Sequence, residues 1–379
     1  MALAERVHGM SIAATLANRA ILEPEGAFLL FQDQTVTFGQ VETRSDALAA
    51  SFHSLGIEAG DRVALVLPPC PEFVVAMFAA AKLGAVIVPM NPRFTRPELQ
   101  YMLRHSETVL AVTAENHGGE DYLAVFDELL PQLPELQYVV TVGEEDLWYD
   151  DQIFQFEDLL SAGQGRDYPT VRVHPGEDSF AILYTAGTMG KPKGVELTHE
   201  NLLLVAGQAA DLLGLVPDDR IIGVTAFFHV FGLGPGILAS ILAGSSLILQ
   251  AGFGAAETLA LIRRHRATVH FGVPTLFSTG LIEQREAALD LSSLRVALAS
   301  GGPASNELVQ AVEEEICTDF RVAYSLTETS SVVSMTGPDD PPEKRLHTVG
   351  RPLPGVEVKV LDNAGEQLPV ESIGEIAVR

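Results

Sequence analysis

The sequence is short of cysteine, of positive charge and of any uninterrupted membrane-length apolar segment. Only two of its 379 residues are cysteines, Cys70 and Cys317, far apart and in no CxxC pattern. A disulfide scaffold and a structural zinc site are both disfavoured, and a reducing, cytoplasmic setting is expected. Lys and Arg number 24 against 50 Asp and Glu, a net charge of −26. Nucleic acid and anionic membrane want a basic face, so neither is expected as a main partner. Residues 1–20 carry Glu5, Arg6, His8 and Arg19 and lack the apolar core of a signal peptide. Residues 221–256 hold no Asp, Glu, Lys or Arg, which is long enough for a membrane helix. Gly232, Gly234, Pro235 and Gly236 break that run, and His229, Ser240, Ser245 and Ser246 dilute it. The better reading is a buried strand at 221–225, a glycine-rich turn, a helix near 236–242 and a second buried strand at 246–250. No internal repeat, low-complexity tract, GxxxxGK[ST] loop or GxGxxG loop occurs.

What the chain has is apolar mass. Hydrophobic residues make up 47% and mean hydropathy is +0.21, which excludes a mostly disordered chain. Short apolar runs predict strands at 62–67, 85–89, 109–112, 138–142, 180–184, 246–249, 269–273, 296–300 and 321–324. Several lack polar–apolar alternation, the mark of a sheet covered on both faces. Helical periodicity falls between them at 40–55, 71–83, 96–105, 257–265 and 305–316. The alternation predicts α/β layers with mainly parallel sheets. Gly337-Pro338-Asp339-Asp340-Pro341-Pro342 reads as a boundary. Beyond it, 356–361 and 374–379 flank the turn Asp362-Asn363-Ala364-Gly365 and predict an antiparallel unit. The expected organisation is one α/β subdomain over 1–175, a second over 176–340, and the start of another unit over 341–379.

The most informative segment runs from Tyr184 to Gly194. Gly187, Gly190 and Gly194 let backbone amides turn toward one point, Thr185 and Thr188 add hydroxyls, and Lys191 and Lys193 add charge. These are the parts of an anion cradle, read here between a strand ending at Tyr184 and a helix beginning near Thr198. The plain alternative is an ordinary polar strand-to-helix turn. A GxSxG nucleophile elbow is nearly met at Leu298-Ala299-Ser300-Gly301-Gly302 but lacks its first glycine, so a serine hydrolase at Ser300 is a competing reading.

Tyr184–Gly194 resembles YTSGTTGKPKG, the signature of the adenylate-forming superfamily of acyl-CoA synthetases, luciferases and peptide-synthetase adenylation domains. Ala186 and Met189 stand where that signature has Ser and Thr, removing two hydroxyls. Further matches follow in the family's order. Phe227-Phe228-His229-Val230-Phe231-Gly232 resembles its aromatic-His motif, and Ser300-Gly301-Gly302-Pro303 its adenine-contacting turn. Tyr324-Ser325-Leu326-Thr327-Glu328 resembles YGxTE, with Ser325 in place of glycine. Val349–Gly355 resembles VGxPxPG, and Gly374-Glu375-Ile376 the GEI strand. The resemblance covers the chain from Phe38 onward.

The resemblance implies a layered αβαβα large domain with two mainly parallel sheets and the start of a small antiparallel β-barrel. It implies a two-step reaction in which a carboxylate attacks the α-phosphate of ATP and a thiol then displaces AMP. Bringing an anion against a polyanion makes charge neutralisation the main problem. Glu328 and Thr188 would then hold Mg²⁺, and Thr327 would donate to the α-phosphate. Thr185, Ala186, Gly187, Thr188, Met189, Gly190, Lys191 and Lys193 would surround the β- and γ-phosphates. Tyr324 would stack on adenine, beside Gly301, Gly302, Pro303, Ser325 and Leu326. His229 would gate the acyl site, walled by Phe228, Val230, Phe231 and Gly301. Amino-acid-activating members carry an aspartate where this chain has Phe228–Phe231, so a fatty or aryl acid is expected, since a buried ammonium needs a counter-charge. CoA is the expected thiol, with a carrier-protein phosphopantetheine as the alternative, and homodimerisation stays open.

Family members usually carry a later ribose-binding aspartate segment and a small C-terminal domain with an assisting lysine, and neither motif occurs here. The chain is expected to be a large domain that binds nucleotide yet turns over poorly. A non-catalytic nucleotide- or partner-binding role is the rival from another class.

Overall fold

The computed structural model describes residues 2–144, 151–185, 191–223 and 226–379. Two large sheets organise them. The first has seven strands, in spatial order Lys193–Thr198, Ser179–Thr185, Val86–Pro89, Arg62–Val66, Thr108–Ala114, Tyr138–Val142 and Ile153–Gln155. All are parallel except the edge strand Lys193–Thr198. The second has nine strands: Arg351–Pro352, Ser331–Met335, Phe320–Leu326, Val296–Ala299, Val269–Gly272, Arg220–Gly223, Ser246–Ile248, Ala27–Phe31 and Gln34–Thr37. Its six middle strands, Phe320–Leu326 through Ala27–Phe31, are parallel, and antiparallel hairpins close both edges. Sheet membership does not follow chain order. The hairpin at 27–37 joins the second sheet, and the hairpin at 179–198 joins the first.

Successive side chains on a strand point to opposite faces, and here both faces are covered. Val63 and Leu65 enter the central core, while Ala64 and Val66 enter an outer core under helices Arg96–His105 and Tyr122–Leu129. In the second sheet Ile221, Leu247, Val296 and Leu298 face the central core. Ile222, Ile248, Ala297 and Ala299 face helices Ala255–His265, Pro274–Ala287 and Asn306–Glu315. The result is the αβαβα layering, and it explains why these strands read as unbroken apolar runs. The central helix Pro71–Lys82 is apolar nearly all round because it lies between the sheets. It ends at Lys82, whose Nζ lies 3.0 Å from Glu42 Oε1 and 2.5 Å from Asp46 Oδ1.

Three expectations change. The segment after Phe228 is a helix with no glycine turn: Gly232–Leu238 winds as a fully buried π-helix and continues as Ala239–Ala243. Pro235 has no N–H for an α-helical ladder, and the wider turn accommodates it. Second, the hairpin 27–37 enters the second sheet unannounced, its second strand being mostly polar. Third, Val358–Leu361 and Glu375–Val378 pair antiparallel as expected, but no closed barrel forms among the described residues. Cys70 and Cys317 are buried free thiols. No described helix is long and apolar enough to cross a membrane.

Candidate functional site

Parallel sheets place their ligands at the carboxyl ends of their strands. A cavity of about 350 Å³ sits there on the second sheet, lined by Ala226, His229, Val230, Phe231, Phe253, Val273, Ser300, Gly301, Ser325, Leu326 and Thr327. These residues end or follow five parallel strands: Arg220–Gly223, Ser246–Ile248, Val269–Gly272, Val296–Ala299 and Phe320–Leu326. The fold therefore brings the aromatic-His motif, the Ser300–Gly301 turn and the Ser325–Thr327 segment to one hollow, although some seventy residues of chain separate the first from the second.

Most of the lining is apolar, from Ala226, Val230, Phe231, Phe253, Val273 and Leu326, and Ser300, Ser325 and Thr327 add hydroxyls. Among the described residues no carboxylate lines the cavity. Phe231 packs on Phe271 at 5.6 Å between ring centres and is fixed by the central core. His229 has one side in solvent and the rest of its ring among protein atoms, and that desolvation lowers its pKa. Gly301 holds φ +85°, a conformation glycine adopts without strain. Ser300 is buried, its Oγ donating to Ala323 O at 3.2 Å and meeting Ser325 Oγ at 2.8 Å.

Phe228 leaves this group. It lines an adjoining cavity of about 230 Å³ with Arg93, His117 and Gln250, and the two cavities share Ala226 and Phe253. Gly302 and Pro303 are exposed on the turn outside the lining, and Tyr324 is half-buried in the strand behind it. Glu328 follows Thr327 in a 3₁₀ turn but faces a third cavity, about 450 Å³, together with Asn201, Gln208 and Pro354. That turn packs against the strand Lys193–Thr198.

The anion-cradle segment lies, as expected, between a strand, Ser179–Thr185, and a helix beginning at His199, but an unexpected strand, Lys193–Thr198, precedes that helix. Its centre, Ala186, Gly187, Thr188, Met189 and Gly190, lies outside the described residues. Its shoulders pair as an antiparallel hairpin, Thr185 with Lys193 and Tyr184 with Gly194. The helix His199–Leu213 begins directly after the strand Lys193–Thr198, capped by Thr198. On the described side of the loop, Lys191 and Lys193 are exposed and bring positive charge to it. The helix Arg96–His105 holds both shoulders. Tyr184 Oη donates to Met102 O at 3.2 Å and meets His105 Nδ1 at 2.8 Å. Burial raises the Tyr184 pKa to about 12, so it remains a donor. Tyr101 Oη donates to Pro192 O at 3.2 Å, and the Lys191 ammonium lies 5.3 Å from the Tyr101 ring centre.

Five participants were not legible in the sequence: Tyr101, His105, Ala226, Phe253 and Val273. Each is an ordinary apolar or aromatic residue whose place depends on which strand ends become neighbours.

Known proteins carry the same architecture. The AMP-binding enzyme family matches residues 16–379. The 3-[(3aS,4S,7aS)-7a-methyl-1,5-dioxo-octahydro-1H-inden-4-yl]propanoyl:CoA ligase of Mycobacterium tuberculosis is 33% identical over 348 residues, 91% of this chain and 67% of its own length. Acyl-CoA ligase SID4 of Ajellomyces capsulatus is 30% identical over 90% of this chain and 59% of its own length. The anthranilate CoA ligase AuaEII, solved with anthranoyl-AMP, superposes with a TM-score of 0.90 at 26% identity, over 97% of this chain and 69% of that one. The chain thus spans about three-fifths to two-thirds of these proteins. With two layered sheets, a strand-end cavity and the ordered motifs in place, the chain belongs to the AMP-binding enzyme family, a family of acid–thiol ligases.

Proposed function

We propose that this chain activates a fatty or aryl carboxylic acid with ATP, forming the acyl-adenylate in the 350 Å³ cavity, for transfer to the thiol of CoA. One observation carries the reading. The segments resembling the family's adenine-side turn and acyl-side motif line a single hollow that holds both polar and apolar side chains. An acyl chain or aryl ring suits Val230, Phe231, Phe253 and Val273, and burying it there is favourable by roughly 25 cal/mol per Å² of apolar surface. Among the described residues of that lining a substrate ammonium would meet no carboxylate.

In this reading a carboxylate oxygen of the acid attacks the α-phosphorus, the new acyl–O–P bond forms, and pyrophosphate leaves. The thiol sulfur then attacks the acyl carbon, and AMP leaves with the electron pair. Tyr324, Gly301, Gly302, Pro303, Ser325 and Leu326 hold the adenine side. Thr327 donates to the α-phosphate, and Lys191 and Lys193, with Thr185 and the segment 186–190, receive the outer phosphates. His229, its pKa lowered by desolvation, lines the same cavity and would face the acyl carbon and the incoming thiol. Magnesium would screen phosphate charge. Its fit rests on Glu328, an exposed hard-oxygen donor on a turn packed against the strand leaving the phosphate loop. Among the described residues no cluster of three or more His, Cys, Asp or Glu surrounds a metal position, so phosphate oxygens, water and Thr188 would complete the shell.

The test is trapping of the adenylate. Incubation with MgATP, hydroxylamine and a panel of acids should give acyl-hydroxamate and pyrophosphate only with an apolar acid. Adding CoA or a phosphopantetheinylated carrier protein separates the two acceptors. ATP-independent consumption of an ester, with no pyrophosphate from any acid, would contradict the reading.

A further inference from the structure

The helix Arg96–His105 turns Leu99, Met102 and Leu103 into the outer core. That leaves Tyr101 half-buried and His105 exposed, beside the hairpin at 179–198. The two are four residues apart on one helix face, and their ring centres are 5.5 Å apart. His105 in turn meets the Tyr184 ring edge-on, 5.7 Å between centres. The three rings form a ladder, and its two ends are the two shoulders of the phosphate loop.

On the strand entering the loop, Tyr184 Oη donates to Met102 O at 3.2 Å and lies 2.8 Å from His105 Nδ1. On the chain leaving it, Tyr101 makes two separate contacts with successive residues. Its hydroxyl donates to Pro192 O at 3.2 Å, and its ring lies 5.3 Å from the Lys191 ammonium. Among the described residues the lysine ion pairs all belong to Lys82, so the ring face is what restrains Lys191. In a chain of net charge −26, positive charge for a polyanion has to be placed locally. A free surface lysine loses rotamer freedom when it grips an anion, and a restrained one loses less.

We infer that Tyr101 is a positioning residue for the outer phosphates. Its hydroxyl ties down the backbone just beyond the loop, and its ring keeps the Lys191 charge at the loop's edge. A triphosphate is thereby favoured over a monophosphate by a charge already in place. The inference rests on the proposed adenylate function and extends it to a residue that touches neither substrate.

AMP lacks the outer phosphates, so comparing it with MgATP separates positioning from folding. Tyr101→Leu removes both contacts and should weaken MgATP and inorganic pyrophosphate on the order of tenfold by calorimetry, with AMP within about twofold of wild type. Tyr101→Phe keeps the ring over Lys191 and loses the bond to Pro192 O, so its MgATP affinity should fall only about threefold. Lys191→Ala should cost less MgATP affinity in Tyr101→Leu than in wild type, because the two side chains act together. Tyr101→Leu losing AMP and MgATP alike, or holding MgATP as wild type does, overturns the inference. So does Tyr101→Phe binding MgATP as poorly as Tyr101→Leu, or Lys191→Ala costing the same in both backgrounds. Wild type that binds AMP but not MgATP overturns it too, with the nucleotide pocket still standing. Wild type binding neither overturns the adenylate reading itself, and the inference with it.

Discussion

Ser300 and Ser325 share a hydrogen bond, Oγ to Oγ at 2.8 Å, across the ends of two adjacent parallel strands. Ser325 is the residue that departs from the YGxTE pattern the sequence otherwise resembles. The departure has acquired a partner: the added hydroxyl ties the adenine-side turn to the segment leading to Thr327 and Glu328. The same bond, with Ala323 O, occupies the hydroxyl that a serine-hydrolase reading needs, on a side chain 1% exposed.

Replacing Ser325 by glycine removes that bond from a buried partner and puts a flexible residue in a strand. Each effect costs about 1 kcal/mol, so urea denaturation should show a loss of about 2 kcal/mol. A fluorophosphonate probe should leave Ser300 unlabelled in both proteins.

Gly301→Ala tests the turn itself. Its added Cβ would stand 3.5 Å from Val273 Cγ1, ordinary contact, so the cost is conformational. At φ +85° that is about 1–2 kcal/mol. The methyl also enters the cavity lining, so AMP affinity measured by calorimetry should fall more than Tm alone would suggest.

Stability should fall in mild acid through two buried histidines. Burial lowers the pKa of His199 and of His270 to about 4, against about 6.5 in an unfolded chain. Between those values the unfolded state binds more protons, so stability rises with pH. The contribution is complete above about pH 6.5 and is lost progressively as pH falls toward 4. His199 Nδ1 accepts the Ile12 N–H at 3.2 Å, a bond that requires an unprotonated nitrogen. His199→Asn keeps an acceptor that does not titrate. Its unfolding free energy, followed from pH 7.5 to 5, should fall less steeply than wild type's.

Asp219 and Arg295 form an ion pair outside the site, Oδ2 to Nη2 at 2.5 Å. Asp219 is 2% exposed; burial pushes its pKa up, but hydrogen bonds from Arg295, Thr268 and the Val216 N–H outweigh this and hold it below the usual range. Arg295 also donates to Leu213 O and Gly214 O, closing the end of helix His199–Leu213. Arg295→Met strands a buried carboxylate and should cost about 3–5 kcal/mol in urea denaturation. Double replacement of Asp219 and Arg295 by apolar residues should recover part of it.

Where the sequence was readable, the cause was local. Helix Arg96–His105 matches its expected bounds because Thr95 and Glu98 form a capping box and His105 ends the apolar period. The strands 138–142 and 296–299 were legible because burial on both faces leaves them almost wholly apolar, with Thr141 the polar residue in the first. The hairpin Lys193–Thr198 was not, since its alternating polar residues look like loop beside a glycine tract. The π-helix was hidden by its own glycines and Pro235, which read as a turn when nothing shows the walls around them. The site followed the same division. Motif residues that end strands, Ser300, Gly301, Ser325 and Thr327, meet in one cavity. Phe228 falls in the adjoining cavity, and Phe253, which no motif singled out, lines both.

The most direct test of the account is thermal shift against acyl-sulfamoyl-adenosines from acetyl through dodecanoyl to benzoyl, with AMP and MgATP alongside. A ligand that binds only the folded state raises the midpoint with its affinity, by about 2.7 kcal/mol of stabilisation at a hundred times Kd. One apolar acyl size should shift the midpoint beyond AMP, and widening the apolar wall by Phe231→Ala should move the preferred size upward. Equal shifts for AMP and every acyl analogue, unchanged in Phe231→Ala, would contradict an acyl-adenylate site in this cavity.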